Sequence, residues 1–288
     1  MNITLYYNNS VEQPTSIVRR SKGPATTPPN YIKALSFSRL GGQFHVERPC
    51  PRLSPGFAHL AMACQASPPA RTIASGMLSE ARARQLLEPF GLSLSDPQLS
   101  QTLEYLDLLL RWNQKINLSG IRAPEECLTR HFGESFYIAR RIKLEGRLLD
   151  IGSGAGFPGL ALKIVFPQLA VTLLEPNAKK RAFLKEVART LALEFAQVLP
   201  DRLEQYSREA GAASFDAASS RAVGNLPQLV PQAARCVQAG GRICLWATRT
   251  EAASLPRSFA SFEWVEPVDL PCSRDRVICI GVRKAAAQ

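Results

Sequence analysis

The chain has little from which to build a metal or redox centre. Its seven cysteines include no C-x-x-C pair, and its three histidines, at positions 45, 59 and 131, are too scattered for a zinc set, so no metal is expected. The odd cysteine count and the apolar neighbours of Cys244 and Cys279 suit reduced, buried thiols in a cytoplasmic protein, not a disulfide framework. No apolar run approaches the roughly 20 residues that a bilayer span requires, so no membrane partner is expected. Residues 1–76 contain no aspartate; eight Lys/Arg face two acids there, and nine prolines break any apolar period. This stretch is expected to be a disordered extension outside the fold. Its Arg- and Ser-rich composition also permits an organelle targeting segment, but the simpler reading is an over-extended start, with translation beginning at Met77.

What the chain does have is a strand, a glycine turn and a helix at 147–160, reading Arg147-Leu-Leu-Asp-Ile-Gly-Ser-Gly-Ala-Gly-Phe-Pro-Gly-Leu160. Gly152, Gly154 and Gly156 let the backbone approach a ligand at the start of a helix. A dinucleotide fingerprint would put its third glycine at 157, where this chain has Phe157. A second apolar run, 171–174, ends in Glu175, 23 residues after Gly152, where a carboxylate can accept from two ribose hydroxyls. The pattern describes a nucleoside site without the usual pyrophosphate signal. It resembles the first motif and the acid after the second strand of class I methyltransferases, a resemblance that implies S-adenosyl-L-methionine as cofactor.

The surrounding periodicities agree. Leu86, Leu87 and Phe90 share one helical face, which Gly91 ends; a helix opened by Asp96-Pro97 carries Leu99, Leu103, Leu106 and Leu110; and one opened by Pro124 carries Leu128, Phe132, Phe136 and Ile138 toward Ile142. Residues 77–145 are read as a small N-terminal helical cap. Strands at 171–175, 195–199, 215–219 and 242–246 then alternate with helices at 178–191, 201–208 and about 226–238. Repeated strand–helix units require a parallel sheet with right-handed crossovers. Two last strand-like runs, 262–270 and 277–282, are expected to close the sheet as an antiparallel hairpin. The expected class is therefore α/β, a Rossmann-like methyltransferase sheet over 146–288 with its last strand antiparallel.

Absences also bear on the methyl acceptor. The Asn/Asp-Pro-Pro-Tyr/Phe motif of amine methylation is missing after the fourth strand, where the chain reads Ser219-Ser-Arg-Ala222. The nucleophilic cysteine of pyrimidine carbon methylation is missing too, since Cys244 falls inside the fifth strand. Guanine N7 has an in-plane lone pair and no proton to lose, so its methylation requires positioning and no base.

Five motifs now carry a resemblance: Arg111-Trp-Asn-Gln-Lys-Ile-Asn-Leu-Ser119, Arg130-His131 with Glu134-Ser135, the stretch 150–159, the stretch 174–184, and Ser220-Arg-Ala222. Residues 77–288 resemble the glucose-inhibited division protein B family, bacterial guanine-N7 methyltransferases of small-subunit (16S) ribosomal RNA. The resemblance implies cofactor contacts from Gly152, Gly154, Gly156 and Phe157 at the first turn, Glu175 at the ribose, Leu203 and Glu204 near the adenine, and Arg221 after the fourth strand. It implies RNA contacts from Lys115, Arg130 and His131 on the cap; Lys179, Lys180 and Arg181, a basic triplet opening a helix where it is poorly placed for the dipole, point to phosphate contact on their own. The resemblance also implies 16S RNA or the 30S subunit as partner; no catalytic side chain is required, and a monomer is expected. Each residue has a plainer reading: Glu175 as a helix cap, Leu203 as core, Glu204 as a solvated helix residue, His131 as a hydrogen-bonded helix residue, and the basic triplet as a solvated run. Three places depart from the family pattern: Glu134 where Asp is usual, Leu245-Trp-Ala where Leu-Lys-Gly is usual, and the Arg274-Asp-Arg276 turn. A methyltransferase acting on another acceptor and a non-catalytic ribosome-assembly protein are the rival readings.

Overall fold

The computed structural model describes residues 37–40, 43–46, 78–209, 214–221 and 225–285. The chain divides into two units, 1–72 and 73–288. In the first, Phe37–Leu40 pairs antiparallel with Gln43–Val46. Otherwise the expected extension, its suggested start at Met77 included, lies outside the described residues.

The second unit opens with helices α1 (Glu80–Leu87) and α2 (Asp96–Asn113). The cap of α2 is Ser95, one residue before the expected Asp96, because Ser95 and Gln98 close a reciprocal capping box. A continuous helical run, α3, follows over 124–140. It is α-helical at Pro124–Cys127, widens to a π-turn at Leu128–Gly133, and tightens through Glu134–Phe136 into a 3-10 turn at Tyr137–Arg140. The wide turn carries Arg130 and His131, and such insertions recur where a helix presents functional groups.

The sheet strands are β1 (Arg147–Ile151), β2 (Ala170–Leu174), β3 (Ala196–Leu199), β4 (Phe215–Arg221), β5 (Val237–Thr248), β6 (Phe262–Trp264), β7 (Val268–Asp269) and β8 (Arg276–Arg283). Their order is β3-β2-β1-β4-β5-β8-β6, with β7 also on β8. β1 to β5 run parallel and β8 runs antiparallel to β5, as the repeated units and the closing tail require. Helices α4 (Gly159–Val165), α5 (Ala178–Thr190), α6 (Leu203–Glu209), α7 (Leu226–Cys236) and α8 (Arg249–Ser258) complete the unit.

Strand alternation sorts side chains into two apolar layers. Leu148, Val171, Leu173, Ala217 and Cys244 pack with Tyr105, Phe132 and Phe183 from the helices, whereas Leu149, Ile151, Leu174, Ala218 and Ile243 pack with Leu203, Leu229 and Leu255. The helices of 80–140 thus share one continuous core with a face of the sheet, and unit 73–288 is compact as a whole.

Three details differ from the sequence reading. The expected strand at 262–270 is two short strands, because Pro267 donates no ladder hydrogen bond and interrupts it. β5 starts at Val237, not 242; Gly240, at φ +77°, lets the register slip between Phe215 and Ala217. Helix α8 was not foreseen, although its capping box, Thr248 with Glu251, is written in the sequence.

Candidate functional site

The register brings the expected residues to one edge. Ile151 pairs with both Leu174 and Ser220, so Gly152, Glu175 and Arg221 leave the carboxyl ends of β1, β2 and β4 at one level. β1 lies between β2 and β4, where the chain reverses its order, and this is where open α/β sheets bind ligands. Glu175 is buried: Oε2 accepts from Gly154 N–H and Oε1 from Asn177 N–H, both at 2.8 Å. A carboxylate has about four acceptor sites, so capacity for two hydroxyls remains. The capping role open to Glu175 belongs to Asn177, whose side chain accepts from Lys179 N–H and Lys180 N–H.

Beside this turn lies a cleft of about 230 Å³. Ile151, Leu174, Leu203 and Leu229 give it apolar walls, and Asp201, Asn225 and Gln228 give it polar ones. Flat apolar walls with a few polar groups suit a nucleobase. Gly152 and Glu204 also line it, and Leu203 belongs to the apolar layer as well. The Phe157 side chain is buried. Its ring is stacked between Tyr105, with centroids 5.2 Å apart, and His131, at 4.8 Å, with the edge of Phe132 against it. Only the main chain at Phe157 remains for a ligand. Tyr105 clamps the turn from α2 by donating to Ala155 O at 2.6 Å.

Asp150 was not singled out in the sequence, although the quoted motif contains it. It is fully buried at the end of β1; Ser219 Oγ donates to Oδ1 at 2.7 Å, and Oδ2 has no partner among the described residues. Burial outweighs the Ser219 bond and pushes the carboxyl from 3.8 up to about 6. An acid with a raised native pKa destabilises the fold once both states are ionised, so this contribution falls as pH climbs from 3.8 through about 6. Asp150→Asn is expected to stabilise the ligand-free protein by about 3 kcal/mol at pH 7.5 but only about 1 kcal/mol at pH 4.5. Urea denaturation at the two pH values checks this; equal gains would show that Asp150 is not the titrating group.

The basic residues separate into kinds. Lys115 and Lys179 are exposed and Lys180 half-buried. Arg181 instead turns back onto its own loop, donating to Glu175 O at 3.1 Å and Pro176 O at 2.6 Å. Arg130 is paired with Glu126 at 2.9 Å. His131 Nε2 lies 2.7 Å from Ser119 Oγ, in the loop that the Asn113 side chain closes through Leu118, Ser119 and Ile121. Burial, helped by the charges of Arg221 and Arg130, pushes the imidazole down to about 3, so it is neutral and stacks instead of carrying charge. The three departures from the family pattern meet at one point: Arg221 and Arg276 both bind the Glu134 carboxylate, and Trp246 Nε1 donates to Glu134 O at 2.8 Å. Among the described residues, no helix is long and apolar enough to cross a membrane.

The family model of rRNA small subunit methyltransferase G (GidB) matches residues 98–272. The chain is 40% identical over 157 residues to the ribosomal RNA small subunit methyltransferase G of Alkaliphilus metalliredigens, covering 54% of this chain and 66% of that relative. It is 41% identical over 175 residues to the same-named protein of Alkalilimnicola ehrlichii, covering 60% and 78%. A crystal structure of a SAM dependent methyltransferase from Aquifex aeolicus aligns with 55% of this chain and 93% of its own at 12% identity, with a TM-score of 0.45.

Proposed function

The chain belongs to the rRNA small subunit methyltransferase G (GidB) family, and from that premise we propose that it transfers the methyl group of S-adenosyl-L-methionine to guanine N7 of 16S ribosomal RNA. The observation that carries the cofactor half is the convergence of Gly152, the spare acceptors of Glu175 and the apolar cleft at the edge where β1 lies between β2 and β4. Buried polar groups support the fit: among the described residues Asp150 Oδ2 and Arg221 Nη1 both lack partners, and a zwitterionic amino-acid tail supplies a donor and an acceptor.

In this reading Glu175 holds the ribose, the cleft holds the adenine, and Arg221 faces the carboxylate. The cofactor supplies an electrophilic methyl on a sulfonium. With it bound, the methyl would pass to the N7 lone pair as the C–S bond breaks, and the positive charge would go from sulfur to the purine. No proton moves in this step, and a neutral His131, stacked on Phe157, suits a site that works by orientation. This reading has the protein act in the cytoplasm, as a monomer, on the 30S subunit or its RNA.

The test uses the full chain, methyl-labelled S-adenosyl-L-methionine and 30S subunits lacking the modification, followed by nucleoside analysis. Label in 7-methylguanosine is the expected result. Label in another nucleoside would redirect the acceptor, and label in ribosomal protein would remove RNA from the reading.

Three lysines give a second check. Lys115→Gln, Lys179→Gln and Lys180→Gln together are expected to raise KM for the 30S subunit and to lower the slope of log KM against log salt by about 2. Arg181 is left out because its guanidinium is committed to two carbonyls. An unchanged slope would place the RNA on another face.

A further inference from the structure

Glu134 carries an unusual load for a residue only 2% exposed. Its Oε2 accepts from Arg221 Nη2 at 3.0 Å, at the end of β4. Oε1 accepts from Arg276 Nη2 at 2.5 Å, at the start of β8, and Oε2 lies 3.3 Å from Arg276 Nε. The backbone carbonyl of the same residue takes the Trp246 indole N–H from β5. One residue of α3 is thereby tied to three strands. A single carboxylate cannot neutralise two guanidiniums, and Arg130 adds its charge to the field on Arg221. Among the described residues Arg221 Nη1 is buried without a partner, so the cluster has a surplus positive charge and an unused donor, both beside the turn at Gly152. A buried guanidinium N–H left unpaired is costly, and an anionic ligand group relieves it.

We propose that Glu134 is a positioning residue for the methyl transfer: by holding Arg221 Nη2 it presents Nη1 to the cofactor carboxylate, while Arg276 takes up the second oxygen. The inference rests on the cofactor reading above. Arg276 lies just beyond the stretch that the family model matches.

Calorimetry with S-adenosylhomocysteine, which carries the same carboxylate, is the test. Native protein that failed to bind it would end the cofactor reading before any variant was made. Given native binding, Glu134→Gln is expected to weaken affinity about tenfold or more, lowering kcat/KM for the cofactor in proportion, with KM for the 30S subunit within about twofold. Glu134→Asp keeps the charge and is expected to stay within about threefold of native affinity. A folded Glu134→Gln that binds as tightly as the native protein would overturn the proposal, as would a Glu134→Asp equally as weak. In case Glu134→Gln does not fold, the native protein gives a second readout. The Nη resonances of Arg221, identified by their loss in Arg221→Lys, are expected to shift when S-adenosylhomocysteine is added, and no shift would overturn the assignment.

Discussion

Gly156→Ala is expected to cost the fold about 3 kcal/mol and to abolish cofactor binding. The backbone at this position has φ +87°, which an alanine adopts only under strain. A Cβ there would also run into the Tyr105 hydroxyl and come within 3.1 Å of both Leu160 and Leu184. Tyr105 would have to release Ala155 O, and with it the clamp that α2 places on the turn. Its ring is stacked on Phe157, so the disturbance would pass to Phe157 and His131. Gly154 provides the contrast. It too has positive φ, +57°, but a Cβ would meet nothing nearer than Gly152 O at 3.8 Å, so Gly154→Ala should cost only about 1 kcal/mol. Urea denaturation and calorimetry with the cofactor measure both variants. Equal losses would show that backbone conformation alone, without the Tyr105 contact, accounts for the glycines.

The second large effect concerns Glu175. Glu175→Gln replaces one acceptor oxygen with an NH₂ group facing a backbone N–H, either Gly154 or Asn177, and removes the charge that strengthens both bonds. A stability loss of about 2 kcal/mol is expected, together with a loss of cofactor affinity of about a hundredfold, because the turn and the ribose site are disturbed at once. Glu204→Gln is the control. Glu204 is exposed at the rim of the cleft, and its replacement is expected to change affinity by less than about threefold. The opposite ranking of the two variants would reverse the ribose and adenine ends of the site.

Much of this site was legible in the sequence. Gly152, Gly154, Gly156 and Glu175 were readable because positive φ and strand termination are local properties, and two successive parallel strands deliver their ends to the same edge. Leu203 and Glu204 came from the family resemblance alone. The packing of the Phe157 ring was not legible, because its neighbours, Tyr105 and His131, come from helices 52 and 26 residues earlier in the chain, and spacing says nothing of which way a ring turns. Arg181 was grouped with its two lysines for a similar reason: its return to Glu175 O and Pro176 O depends on the path of the loop. Glu134, Trp246 and Arg276 looked like three separate irregularities, yet they form one cluster.

The sequence by itself determined the parallel sheet, the glycine turn, the acid after the second strand and the resemblance to a methyltransferase family, because these depend on residue periodicity and on backbone preferences within a few positions. Only the tertiary structure decided which side chains stay available at the site. Whether Arg221 meets Glu134, or Arg276 reaches the same carboxylate, depends on β5 lying between β4 and the antiparallel β8 and on α3 packing across their ends. That neighbour order joins residues as many as 142 positions apart, a distance over which no local pattern carries information.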